Sequence, residues 1–183
     1  MTGQIPDQFI LDNQSFSLVG LKGQGLFKPV DFGINPYSSC TACWRGYVNK
    51  YRLTNNHLIL YEMLVNVDNP AKIKGIEPQT GDELFKYHYK EMNLKCRFTG
   101  NLLLAKDFIQ SMYVHMGFQR PMAYKTIIEI QMKDGEIISE RDLSKEMEEK
   151  RIFNENEGVS PRSDSQNDIE NWVNKTFSLD YDF

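Results

Sequence analysis

Three cysteines, three histidines and one oddly placed arginine are the residues of this chain whose types could do chemistry. Cys40 and Cys43 form a C-x-x-C pair. Together with Cys96 and His115 they make a Cys₃His donor set, chemically suited to Zn²⁺. A structural zinc usually draws on two short-spaced pairs, and here only one pair is short. Three small buried thiols with no metal is the plainer reading, and no cofactor is expected. A thioredoxin-like redox site is excluded by context, because Cys43 runs directly into a strand pattern and no helix begins there. A nucleophilic thiolate would need His115 within reach of Cys43 or Cys96. His115 sits between Val114 and Met116 in a strand-like stretch and reads as structural.

Arg45 lies between Trp44 and Gly46 on a stretch expected to be covered. A buried guanidinium needs a carboxylate, a group of carbonyls or an anionic ligand. Glu62, across the expected hairpin, is the partner the pattern suggests. Lys86-Tyr87-His88-Tyr89-Lys90 interleaves aromatic and basic residues, as a single-stranded nucleic-acid platform would, but no wider basic stripe supports it. GLKGQG (Gly20–Gly25) superficially resembles a phosphate loop. No Lys-Ser/Thr closes it and no helix follows, so it reads as a plain loop.

The element that must position these residues is Thr41–Val67, a long β-hairpin. Asn55-Asn56 supplies the two residues tolerant of positive φ that a tight turn needs. On the return strand His57, Ile59, Tyr61, Met63, Val65 and Val67 share one face, and Leu58, Leu60, Glu62 and Leu64 the other. Both faces are largely apolar, which places the hairpin centrally. A strand glycine such as Gly46 marks a bulge or a close approach. Residues 1–8 read as a loose leader. Phe9–Leu11 and Phe16–Val19 form a small hairpin about Asp12-Asn13-Gln14. Strands are expected over Phe98–Ala105, Tyr113–Phe118 and Tyr124–Met132, with Asp134-Gly135 turning the last back through Ile137-Ile138. Ser139–Ile152 carries a capping-box-like start and a thin Leu143/Met147 stripe, which predicts a helix.

The fold class is therefore mainly β (α+β): an antiparallel sheet or partly closed barrel built on long hairpins, with one or two short C-terminal helices. Residues 1–153 form a single β-rich domain, 154–166 a polar flexible linker, and 167–183 a short amphipathic helix with an acidic tail. In that helix Ile169, Trp172, Val173 and Phe177 make an apolar stripe. A helix this short is marginal alone, so the stripe must dock, either on its own body or by self-association with a second copy or partner.

Charge excludes some functions. The net −4 of the 183-residue chain comes entirely from residues 151–183, with 3 basic and 7 acidic residues; the first 150 balance at 18 and 18. A neutral body offers no field to draw nucleic acid or anionic lipid. No apolar run approaches the roughly 20 residues that span a bilayer, and no signal segment opens the chain. An odd number of cysteines suits a reducing cytoplasm.

The blocks TACWRGY (41–47) and FTGNLLLA…YVHMGF (98–118) resemble an uncharacterised bacterial protein family over roughly Phe16–Met147. The resemblance implies that the first block leads a hairpin and the second lies near the C-terminal strands, and that Trp44, Arg45, Gly46, Tyr113, His115 and Gly117 belong together. No activity comes with it. Trp44, Arg45, Tyr47, Tyr113 and His115 are thus the candidate ligand-binding residues. The function expected is that of a non-enzymatic binding protein for another protein or a small ligand, for instance an immunity or regulatory protein. The alternatives are a small enzyme using a Cys/His or Arg site, and a ligand sensor with a closed apolar cavity lined by Trp44, Tyr47 and Met116.

Overall fold

The computed structural model of the chain describes residues 2–153, 160–161 and 163–181. Among these residues ten strands are formed: β1 (Gln8–Leu11), β2 (Gln14–Gln24), β3 (Tyr47–Thr54), β4 (His57–Val65), β5 (Gln79–Thr80), β6 (Tyr87–Tyr89), β7 (Leu94–Lys95), β8 (Thr99–Phe108), β9 (Tyr124–Lys133) and β10 (Glu136–Asp142). Two helices follow, α1 (Ser144–Phe153) and α2 (Gln166–Phe177). Seven strands in the order β10-β9-β8-β2-β1-β3-β4 close into a barrel, with Glu136 of β10 opposite His57 of β4. The three expected hairpins turn at Asp12-Asn13, Asn55-Asn56 and Asp134-Gly135, each with positive φ at both residues. That geometry matches the right-handed twist of the flanking strands. Two of these tips make the closure: Leu58 N–H donates to Gly135 O at 2.9 Å, and Ile137 N–H to Asn56 O at 3.2 Å. Among the named strands of the described residues one pairing is parallel, β1 with β3, Gln8 lying opposite Lys50.

The barrel is filled. Phe9 stacks on Tyr51 at 4.9 Å, and Leu58, Leu60, Met63, Leu102, Leu104 and Ile130 are fully buried around them. The intervening β8 residues Leu103 and Ala105 point outward but are buried too, in a second cluster with Leu143, Met147, Tyr124 and Ile127. A strand covered on both faces is why FTGNLLLA reads as a continuous apolar run.

Local departures from strict periodicity change several expectations. On β4, pairing steps from Lys50 opposite Glu62 to Tyr51 opposite Leu60. Tyr61 is an extra, bulged residue, so Leu58 and Leu60 before it and Met63 and Val65 after it all join one core. GLKGQG is not a loop: β2 continues to Gln24 along β8, with Gly23 opposite Gly100. Tyr113–Phe118 is not a strand; it is an irregular loop after the short turn Gln110–Met112. The stretch from Ser139 is not yet helix. Its ladder with β9 runs on to Asp142 opposite Ile128, and the helix starts at Ser144, whose N–H donates to Asp142 Oδ1 at 2.8 Å. Trp44 and Gly46 lie in the turn before β3, not inside a strand. The leader is tied down: Gln4 and Asp7 are buried, Gln4 N–H donates to Gly117 O at 2.7 Å, and Ile5 N–H to Ala42 O at 2.8 Å. Most of the expected linker, 154–159 and 162, lies outside the described residues. No described helix is long and apolar enough to cross a membrane.

Candidate binding site

The site is assembled from four stretches that meet beside the start of β1: the N-terminal segment 2–7, the turn 41–46, the loop 113–121 and the C-terminal stretch 172–181. Asp7 is its hub. Asp7 is 5% exposed, and its carboxylate receives Arg45 in a two-pronged contact, Nη2 to Oδ1 at 3.1 Å and Nη1 to Oδ2 at 3.2 Å. The same carboxylate accepts Asn49 N–H at 2.9 Å, and the Asp7 carbonyl accepts Leu18 N–H at 2.9 Å. It therefore ties β3 to β2 just before β1 begins. Arg45 also donates to Ile5 O at 3.3 Å and lies over the rings of Tyr47, at 4.9 Å, and Phe118, at 5.8 Å. Burial works against its charge, but the Asp7 carboxylate more than offsets this and raises its pKa. The partner is thus Asp7 and not Glu62, which instead holds Lys50 at 2.9 Å and His88 at 3.0 Å.

The C-terminal stretch crosses this assembly as a strap. Phe177 stacks on Trp44 at 4.5 Å and 11°. Phe118 N–H donates to Thr176 O at 2.9 Å, and Leu21 N–H to Leu179 O at 2.7 Å, on the edge of β2 that β1 leaves uncovered. Tyr181 is buried and donates to Glu129 Oε1 at 2.7 Å, with Lys22 Nζ 4.8 Å from its ring centre. Two glycines make room for the strap. A Cβ on Gly20 would come within 2.4 Å of the Tyr181 ring, and one on Gly117 within 2.2 Å of Thr176.

A cavity of about 350 Å³ lies on one side of the strap, between the loop 113–121 and α2. Met116, Phe118, Pro121, Trp172 and Tyr181 give it apolar walls, and Arg120, Lys175 and Asp180 bring charge to it. A second cavity, about 480 Å³, lies on the other side, lined by Leu21, Phe27, Arg45, Tyr47 and Phe177. Phe118, Ser178 and Asp180 line both, so the strap spans one trough.

The candidate residues distribute across this trough. Tyr113 and His115 line the first cavity, their rings edge-to-face at 4.9 Å, and Arg45 and Tyr47 line the second. Trp44 stands against Phe177 and is 49% exposed. Of the cavity expected around Trp44, Tyr47 and Met116, only Met116 lines the first and only Tyr47 the second. The cysteines do not converge with His115. Cys40 and Cys43 pack with Val48, Leu64 and Phe85, while Cys96 is in the barrel core and donates to Gly25 O at 3.0 Å. Burial pushes the Cys43 thiol up, against the pull of Arg45, and the Cys96 thiol up to about 11. That is the wrong direction for a nucleophile. Among the described residues no group of three or more His, Cys, Asp or Glu could hold a metal ion. In the Lys86–Lys90 stretch Tyr89 is fully buried, with its hydroxyl on Ala71 O at 2.6 Å.

Sequence reasoning missed Gln4, Asp7, Trp172 and Tyr181 as site residues. A buried arginine signals that a carboxylate must exist, but Asp7 is 38 positions away from Arg45. Nothing in the pattern ranks it above Glu62. Compared with known proteins, the chain matches no family model, no curated protein and no solved structure.

Proposed function

We propose that the chain is a non-enzymatic binding protein, regulatory in kind, that holds a small ring-bearing anion in the cavity between the loop 113–121 and α2. The observation that supports this is the cavity itself. Its volume of about 350 Å³ falls within the roughly 300–1,000 Å³ of small-molecule sites, which combine apolar walls with a few polar groups. Trp172, Phe118 and Tyr113 offer ring faces and edges to an aromatic ligand. Among the described lining residues, Arg120 and Lys175 stand with the acid Asp180, and the two cations favour a negatively charged substituent. The enzyme alternative loses support for its Cys/His version, because burial raises the Cys43 and Cys96 thiols and both pack in other surroundings than His115.

Calorimetric titration with naphthalene-2-sulfonate tests the reading. Saturable one-to-one binding is expected, abolished by Met116→Trp, which fills the cavity, with the melting temperature held. Absence of binding to the wild type, or unchanged binding to Met116→Trp, overturns it.

A further inference from the structure

We infer that the trough beneath the strap is a peptide-recognition groove, and that Phe177–Tyr181 is its tethered occupant. The segment that displaces it is extended and repeats the pattern aromatic-x-Leu-acidic-Tyr. This rests on the reading of the trough as a binding site, and adds the partner that competes for it.

Three observations carry the inference. The first is the mode of attachment. Phe177 closes α2, the chain leaves the helix through an extended Ser178, and beyond it Leu179 and Tyr181 are spaced two apart, as alternate side chains of an extended chain entering pockets. Phe177 meets Trp44, Leu179 packs against the main core, and Tyr181 joins the outer cluster. Between them Leu21 N–H bonds Leu179 O. Main-chain bonds to a sheet edge plus pockets for alternate side chains are how extended peptides are recognised. The second is the receiving surface. Gly20 and Gly117 belong to separate elements of the body; a Cβ at Gly20 would collide with the Tyr181 ring and also approach Leu103 of β8, and one at Gly117 would collide with Thr176, the residue that leads into the occupant. The third is incomplete filling. Cavities of about 350 and 480 Å³ remain on either side of the strap, and among the described residues a single backbone bond joins it to the β2 edge beyond Leu18. An occupant that fills the flanks and pairs more of that edge gains contacts the strap does not make.

The test uses the full chain and a fluorescein-labelled peptide of residues 174–181 (NKTFSLDY). The triple variant Phe177→Ala, Leu179→Ala, Tyr181→Ala removes the tethered anchors and leaves the groove intact. By anisotropy the peptide should bind this variant at least roughly tenfold more tightly than wild type, because a tethered competitor acts at an effective concentration near millimolar. Adding Gly20→Ala to the triple variant should abolish binding with native circular dichroism retained, and undiminished binding overturns the inference. Equal binding to wild type and triple variant, or none to a triple variant with native circular dichroism, overturns the inference. Should the triple variant not fold, Tyr181→Ala alone is assayed, and no gain over wild type overturns it equally. Naphthalene-2-sulfonate binding without peptide binding removes this inference and leaves the small-ligand reading in place. Peptide binding without naphthalene-2-sulfonate binding supports the groove and removes the small-ligand reading.

Discussion

The two terminal stretches of this chain lie against the same turn and loop but are held by different physics. Residues 2–7 are held by polar groups out of water: Asp7 is 5% and Gln4 7% exposed, and the Asp7–Arg45 contact is two-pronged. Residues 176–181 are held by ring faces, a tyrosine hydroxyl and two glycine seats, with open volume on both sides. A buried charge tolerates no half-formed state, since losing its partner strands it. Apolar contacts loosen by degrees. The N-terminal stretch is therefore built into the body beside the barrel strands, and the C-terminal stretch is an occupant of its surface.

The sharpest break in this contrast comes from Arg45. Arg45→Ala leaves the Asp7 carboxylate buried beside Asn49 N–H alone and should destabilise by about 3–5 kcal/mol, read by urea unfolding. A change within about 0.5 kcal/mol, the usual range for surface substitutions, would place the N-terminal stretch in the same class as the strap.

A second effect belongs to the barrel core and sets a reference for both ends. Burial pushes the Cys96 thiol up from its ordinary 9.0 to about 11. Between those values the folded chain binds more protons than the unfolded chain, so stability must fall as pH rises from 9 to 11. The loss attributable to this thiol is on the order of 2 kcal/mol. Cys96→Ala should flatten that part of the stability–pH curve. An unchanged slope would mean that the thiol is not shielded as the packing indicates.

The smallest effect is expected at the strap. Tyr181→Phe deletes the hydroxyl on Glu129 but keeps the ring over Gly20. A hydrogen bond to a charged group contributes about 1.5–3 kcal/mol. Arg141 stays 3.8 Å from Glu129, so about 1–2 kcal/mol of docking is the expected loss. Global unfolding by urea should hardly register it, while protease cleavage within α2 should speed up. A loss as large as that of Arg45→Ala would make the strap integral to the barrel.

What the chain reveals before folding follows the range of each interaction. Asn55-Asn56 and Asp134-Gly135 announce their hairpins because turn chemistry is local, and the Ile169–Phe177 stripe announces α2 for the same reason. Register is less legible. One bulged residue at Tyr61 reverses which of Leu60 and Met63 a period-two reading sends inward, and no residue type marks the bulge. Tyr113–Phe118 mimics a strand by alternation, yet Gly117 adopts φ 71° and lies against Thr176, a contact with a segment some 60 positions away. The site suffers most from this. Trp44, Arg45 and His115 stand out by type, but the Asp7 carboxylate and the Tyr181 ring that complete their surroundings come from the two ends of the chain.

Native-state hydrogen exchange tests the central contrast directly. The Leu21 and Phe118 amides donate to the strap carbonyls of Leu179 and Thr176, while the Asn49 amide donates to Asp7. The account predicts that Leu21 and Phe118 exchange through a local opening, well below the free energy of global unfolding. Asn49 should exchange only with the β8–β9 ladder, at the full unfolding free energy. Exchange of all three amides together with that ladder would contradict it, and would make the C-terminal strap as much a part of the closed barrel as Asp7.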